Sequence, residues 1–130
     1  MCLYSLTPIP TILKEDLYCY KDLIFINGRY ITPYKHIIVD VPGKIIGKGE
    51  RKITLTEGFS LFEVGPGYIH AYLKSEYVFR LITHIRKYSN TPRHRIALCK
   101  IPRGIKVYYD FRDSTREVCA QEMEIIKIIV

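Results

Sequence analysis

His94–Tyr109, HRIALCKIPRGIKVYY, has the pattern of two β-strands joined by a tight turn. In its first half, apolar residues alternate imperfectly with polar or small ones, which favours a half-buried strand over a helix. Pro102 cannot donate a hydrogen bond to a neighbouring strand, and Gly104 can adopt a positive φ, so the turn is expected there. The residues after Gly104 alternate with period two. The segment therefore predicts a β-hairpin with Arg103 at its tip.

This hairpin belongs to a long basic segment. Tyr77–Tyr109 contains eight Lys or Arg and no Asp or Glu, whereas the rest of the chain contains 12 basic and 13 acidic residues. The formal net charge of +7 therefore comes from this segment alone. If folding brings these cations to one face, that face attracts polyanions, and if it spreads them, they mainly aid solubility. We predict a surface for a protein or nucleic-acid partner, formed by Arg80, Arg86, Lys87, Arg93, Arg95, Lys100, Arg103 and Lys106.

Length and composition predict a globular chain without a metal or cofactor. A chain of 130 residues is expected to form a single domain, 1–130, with a real core. Eleven Tyr and no Trp favour strands. The four Cys have no CxxC or zinc-ligand spacing, so we expect reduced, mostly buried thiols in a cytosolic protein. The first residues resemble no signal peptide, and no apolar run reaches bilayer length, so no membrane association is expected.

One segment is predicted to be helical. In Ser75–Tyr88, apolar Val78, Leu81, Ile82 and Ile85 follow the i, i+3, i+4, i+7 spacing of a buried stripe. Ser75 is suited to the N-cap position, because its hydroxyl can accept a hydrogen bond from a backbone N–H of the first turn. We therefore predict one main helix at about 75–88.

The other elements are predicted to be short strands. Leu17–Ile26 is rich in β-branched and aromatic residues and precedes Asn27-Gly28, a strong hairpin signal. Tyr68–Leu73 and Glu124–Val130 are further strand candidates, whereas the glycine-rich, charged 44–52 is predicted to be an exposed loop or loose hairpin. The predicted class is α+β, with an antiparallel or mixed, strongly curved sheet of about six to nine short strands and one main helix.

Catalytic chemistry is only weakly indicated. The chain contains no phosphate loop, dinucleotide fingerprint, zinc-protease motif or nucleophile elbow. His70 and Tyr72 share a strand face, as do Glu122 and Glu124, and such groups could perform acid–base work. The alternative is a structural histidine and solvated carboxylates. We therefore predict a protein without enzymatic activity and keep these four residues as candidates.

Several segments together resemble a known group of proteins. They are EDLYCYK at Glu15–Lys21, GYIHAYL at Gly67–Leu73 and ALCKIPRGIKVYY at Ala97–Tyr109. The chain resembles an uncharacterised family of small proteins from phages and mobile elements of gut bacteria. That family shares a G-[FY]-H-[SA]-[FY]-like strand and an IPKG-x-x-YY hairpin, from which this chain departs by an extra Ile69 and by Arg103 in place of Lys. The resemblance implies no activity.

A more distant similarity is to the ADP-ribosyltransferase fold. It implies functional positions at Lys21, at His70 or Tyr72, and at Glu122 or Glu124. The leading interpretation is a small, non-enzymatic phage-type accessory or host-interaction protein that binds a host or phage protein, or nucleic acid, through its basic face. The alternatives are a degenerate or active NAD-using transferase and a virion structural component. The expected location is the host cytoplasm or the virion.

Overall fold

A computed structural model describes residues 3–5, 8–33, 36–47, 53–56, 61–65, 67–88 and 93–130. Our expectations for the loop residues 48–52 and for Cys2 lie outside this part of the chain. The described residues form the helix α1 (Ser75–Tyr88) and 13 strands: β1 (Tyr4–Ser5), β2 (Thr11–Ile12), β3 (Leu17–Ile26), β4 (Arg29–Ile31), β5 (Ile38–Val39), β6 (Gly43–Ile46), β7 (Ile53–Leu55), β8 (Phe62–Val64), β9 (Ile69–Tyr72), β10 (His94–Ile101), β11 (Lys106–Tyr109), β12 (Glu117–Ala120) and β13 (Glu122–Ile128).

The predicted α+β class with a strongly curved sheet is wrong. Strands make up 51% of the structure, which makes the protein mostly β with one short helix. The large antiparallel sheet has the order β2-β11-β12-β9-β3-β10-β13-β6, with β4 paired to β3 and β5 to β4. It is neither strongly curled nor closed. The strand number was underestimated because β1, β2 and β5 contain two residues each, too few to show a period.

Strands β3 and β10 form the centre of this sheet. They pair without interruption from Leu17 opposite Ile101 to Ile24 opposite His94. Their odd-numbered residues face the main core, which also receives side chains from β9, β11, β12, β13 and β6. We call this side the core face and the opposite side the helix face. The fully buried members of the core include Cys19, Leu23, Ala97, Cys99, Ile101, Val107, Val118, Ala120 and Met123.

The predicted helix is confirmed with the expected bounds. Val78 and Ile82 of α1 pack on the helix face of the sheet, in one cluster with Tyr72 and Ile96. The apolar stripe that the sequence shows is therefore the stripe that attaches α1 to β9 and β10.

Shortening Ile96 should loosen this attachment. Ile96 is fully buried beneath α1. We expect Ile96→Ala to lower the free energy of unfolding by about 2–4 kcal/mol, because the substitution removes buried methyl groups and leaves a cavity. The matched control is Ile12→Ala, since Ile12 is 58% exposed in an edge strand. Urea denaturation should find the control within about 0.5 kcal/mol of the wild type. Equal losses in the two variants would contradict the packing.

The predicted turns are confirmed. Asn27 and Gly28 both have positive φ, at 52° and 74°, as a two-residue hairpin between β3 and β4 requires. Gly104 has a φ of 89° in the turn between β10 and β11. At both positions the local sequence alone specifies the direction of the chain.

The prediction of a loop or loose hairpin from 44 onward is wrong for its first residues. Gly43–Ile46 is strand β6, and it pairs with β13 at the edge of the large sheet. Gly47 follows, and its N–H donates to the Gln121 carbonyl at 2.7 Å. Gln121 alone separates β12 from β13, although three strands lie between those two in the sheet.

A separate three-stranded sheet, β1-β8-β7, covers part of the helix face. Its Leu3 and Val64 pack with Tyr108 of β11 and Cys119 of β12. The helix face is therefore covered at one part by α1 and at another by this small sheet.

Candidate functional site

The predicted basic residues lie in several places. Arg80 and Lys87 are exposed on α1, and Arg93 is exposed just before β10. The side chain of Arg86 lies outside the described part of the structure. At the other end of β10, Arg103 and Lys106 are exposed in the turn and at the start of β11. Since β10 has eight residues, its two ends lie about 23 Å apart.

The remaining two members lie on opposite faces of β10. Arg95 shares the core face, at the end of the sheet where its guanidinium stands 5.9 Å from the centre of the Phe25 ring. Lys100 shares the helix face, and its Nζ lies 3.3 Å from a Glu124 carboxylate oxygen. The structure thus keeps Arg80 and Lys87 together on α1, and it distributes Arg93, Arg95, Lys100, Arg103 and Lys106 over the residue before β10, β10 itself, the following turn and the start of β11.

The four candidate catalytic residues do not form one site. His70 and Tyr72 lie on β9, whereas Glu122 and Glu124 lie on β13. Strands β3 and β10 lie between β9 and β13 in the sheet, so the two pairs stand on strands that do not pair with each other. Glu122 instead contacts Lys44 at 2.7 Å, and Glu124 contacts Lys100.

His70 and Lys21 have structural surroundings. Burial, with a contribution from the Lys21 charge, lowers the pKa of His70 to about 4, so its ring is neutral at pH 7. Lys21 lies on the core face of β3, where burial lowers its pKa. Its Nζ donates to the His70 carbonyl oxygen at 2.7 Å, which satisfies that acceptor at the place where β9 leaves β3.

The structure reveals a polar cluster that the sequence did not indicate. Asp110 follows β11 and Glu117 begins β12, and the Asp110 N–H donates to the Glu117 carbonyl at 3.2 Å. Both residues are buried, with exposed fractions of 3% and 4%. Arg112 reaches back from the loop between them. It donates through Nε at 3.1 Å and through Nη2 at 2.8 Å to the two Asp110 carboxylate oxygens.

The same guanidinium also approaches the second carboxyl. Arg112 Nη2 lies 3.5 Å from Glu117 Oε2. Burial and the neighbouring Asp110 raise the pKa of Glu117 to about 7. Burial opposes ionisation of Asp110 as well, but hydrogen bonds from Arg112 and Glu117 outweigh it and lower the Asp110 pKa to about 2. Between about pH 2 and pH 7 the two carboxyls therefore hold one proton between them.

This cluster ties the β11–β12 loop to the start of α1. Glu117 lies directly opposite Tyr72, and burial together with Glu117 raises the pKa of that phenol. Arg116 places its guanidinium 5.6 Å from the centre of the Tyr77 ring, and its carbonyl accepts from Leu73 N–H at 2.9 Å. A proton-holding carboxyl pair has the chemistry of a general acid and base, but these carboxyls are covered, so the arrangement serves to hold the loop.

Comparison with known proteins gave no relative. No protein-family model, no curated protein and no solved structure matches the chain. The two resemblances given above therefore stay predictions. No helix among the described residues has both the length and the apolar character needed to cross a bilayer. The described side chains also include no group of three or more His, Cys, Asp or Glu placed to share a metal ion.

Proposed function

We propose that this is a non-enzymatic accessory protein that binds nucleic acid through the solvent face of α1. The observation that carries the proposal is the alignment of Arg80, His84 and Lys87, which follow each other at i, i+4 and i+7 and are all exposed. Residues at this spacing share one side of a helix, so the three side chains form a stripe about 10 Å long. We call this stripe the basic helix face.

The opposite side of α1 gives this face a fixed position. Val78 and Ile82 are buried against the sheet, so the helix cannot turn without losing its core contacts. Phosphates along a nucleic-acid backbone are the polyanion that a row of cations recognises without reading sequence. Phe79 is 40% exposed beside Arg80, and an exposed aromatic ring offers a stacking partner for an unpaired base. The exposed ring favours a single strand over a duplex.

The number of phosphate contacts should be small. Lys100 is paired with Glu124, and Arg103 and Lys106 lie at the far end of β10. The basic helix face then provides about three contacts, and each contributes about −0.7 to the slope of log K against log salt for a single strand. We expect binding that is measurable at low salt and falls steeply as salt is added.

Charge reversal on α1 tests the proposal. We expect Arg80→Glu/Lys87→Glu to weaken the binding of a fluorescently labelled single-stranded oligonucleotide at least tenfold and to reduce the salt slope by about 1.4, because two phosphate contacts are lost. The control is Arg103→Glu/Lys106→Glu, which changes the net charge equally at the other end of β10. Fluorescence anisotropy across a salt series should find the control within about threefold of the wild type.

Two outcomes would overturn the proposal. Equal losses in the two double variants would show that only the overall charge matters. Absence of salt-dependent binding to both RNA and DNA at low salt would show that the basic helix face does not serve nucleic acid, and an acidic protein surface would become the partner to test.

A further inference from the structure

Two buried thiols face each other across the two central strands. Cys19 of β3 and Cys99 of β10 are direct partners in the antiparallel register, so their side chains leave the same face of the sheet. Both are fully buried, and both are free thiols. Cys119 is buried to the same degree, but it lies opposite His70 and Tyr108 on the helix face. Of the three described cysteines, two therefore form a pair and one does not.

The pairing geometry is compatible with a covalent bond. Directly opposed residues of antiparallel strands have Cα atoms about 4.5–5.5 Å apart, within the range of about 4.4–6.8 Å that disulfides occupy. Their Cβ atoms lie about 4.5–5.5 Å apart and need to approach by up to about 1 Å. The register between β10 and β13 shifts between Leu98 and Cys99, whereas the β3–β10 register that carries the pair is continuous. A bond formed with such an adjustment is strained, and strained disulfides are the reducible ones.

A buried amine lies on the same face as the two thiols. Lys21 lies two residues after Cys19 on β3. It is directly opposite Ala97, which lies two residues before Cys99 on β10. Burial raises the pKa of both thiols, that of Cys99 to about 12, while the Lys21 charge acts in the opposite direction on each. The amine is held in place by its hydrogen bond to the His70 carbonyl. Nucleophilic sulfur is the thiolate, and because the net pKa of each thiol is raised, little thiolate is present while the pair stays buried.

We propose that Cys19 and Cys99 form an oxidisable dithiol that a small-molecule disulfide, such as oxidised glutathione, converts into a cross-strand disulfide. One thiol loses its proton and its thiolate attacks the oxidant, whose S–S bond breaks to release one reduced glutathione and leave a mixed disulfide. The second thiolate then attacks the protein sulfur of that mixed disulfide and displaces the second glutathione. The protein loses two protons and two electrons, and the oxidant gains both.

The burial of the pair sets the rate of this reaction. The oxidant reaches the sulfurs only when β3 and β10 separate locally, so oxidation should be slow in the native protein and faster under mildly destabilising conditions. The product would join the two central strands of the large sheet. Oxidised protein should therefore resist unfolding more than reduced protein, and a reductant should reverse the effect.

Peptide mapping tests the proposal directly. The experiment uses the full chain with Cys2→Ser, so that three thiols remain. After incubation with oxidised glutathione, alkylation and trypsin digestion, we expect one disulfide-linked species made of Glu15–Lys21 and Ile96–Lys100. The same sample should carry an unoxidised Cys119, which serves as the equally buried internal control. Adding Cys99→Ser to this chain should abolish the linked species and leave Cys19 reduced or bound to one glutathione.

The proposal fails if the linked peptide is absent from native protein under conditions that oxidise the urea-unfolded chain. It also fails if Cys119 joins disulfides as often as the other two thiols. Either result would mean that opposition across the strands confers no preference on Cys19 and Cys99.

Discussion

The Glu117→Gln variant should be more stable than the wild type by about 2–3 kcal/mol at pH 8 and nearly equal to it at pH 5. The reason is the raised pKa of Glu117, about 7 in the folded state against 4.5 for an ordinary Glu. Between these two values the folded chain binds more protons than the unfolded chain, so the contribution of Glu117 to stability falls as pH rises. Above about pH 7 the full cost of ionising the buried Glu117 carboxyl is present. Gln has no ionisable group, so the variant does not bear this cost.

The measurement is the free energy of unfolding in urea of the wild type and of Glu117→Gln at several pH values, and the result is the difference between the two proteins at each pH. The difference between the two proteins is needed because His70 makes stability depend on pH in the opposite direction, and this contribution is common to both proteins. Its folded-state pKa is about 4, below the ordinary value of 6.5, so its contribution to stability rises between those values. The control is Glu124→Gln, because the Glu124 carboxyl of the wild type is paired with Lys100 at the surface. The difference in free energy of unfolding between this variant and the wild type should change by less than about 1 kcal/mol from pH 5 to pH 8. A difference between wild type and Glu117→Gln that stays constant from pH 5 to pH 8 would contradict the proton-sharing pair.

The Gly47→Ala variant should be destabilised by about 3 kcal/mol, a large loss for the addition of one methyl group. A Cβ atom at Gly47 would overlap the carbonyl oxygen of Gly67 and lie 2.7 Å from its carbonyl carbon. Both are backbone atoms, which cannot rotate away as a side chain could. The chain cannot simply withdraw at Gly47 either, because its N–H is bonded to the Gln121 carbonyl.

Gly28→Ala separates this overlap from the general effect of losing a glycine. A Cβ at Gly28 would meet no atom within 4 Å, and its only cost is the positive φ of 74°. We expect a loss of about 1 kcal/mol there. Thermal denaturation of the two variants beside the wild type gives the comparison. If Gly47→Ala were no worse than Gly28→Ala, the close approach of the two backbones would be refuted.

Local features of the fold could be predicted from the sequence. The stripe of Val78, Leu81, Ile82 and Ile85 defines α1 because helical periodicity depends only on residues three and four apart. Asn27-Gly28 specifies its turn for the same reason, since a two-residue hairpin depends on the φ angles of those residues. Both predictions agree with the structure.

The arrangement of strands could not be predicted, because the pairs that build the sheet are distant in sequence. Strand β10 pairs with β3, and β6 pairs with β13, and the partners in each pair are 70 or more residues apart. The basic segment does not form one basic face for a different reason. Successive residues of a strand point to opposite faces, so Arg95 and Lys100 separate although the segment between them is continuous.

The carboxyl cluster was missed because Asp110–Arg116 has the composition of an ordinary polar loop. Only the pairing of β11 with β12 brings Asp110 back to Glu117. A usable signal was present: aligning Tyr109 with Val118 as a hairpin places the two acids next to each other, with Arg112 in the connecting loop. Two acids that meet across a hairpin need a cation or a shared proton, and this chain supplies both.

The position of β6 has a consequence for synthesis on the ribosome. This strand pairs with β13 alone among the strands that the structure describes, and Glu122 is translated about 75 residues after Ile46. At about 5–20 residues per second, β6 waits roughly 4–15 s before its partner exists. Throughout that interval the nascent chain presents an unpaired strand with its apolar Ile45 and Ile46 uncovered, which is a substrate for chaperones and a starting point for aggregation.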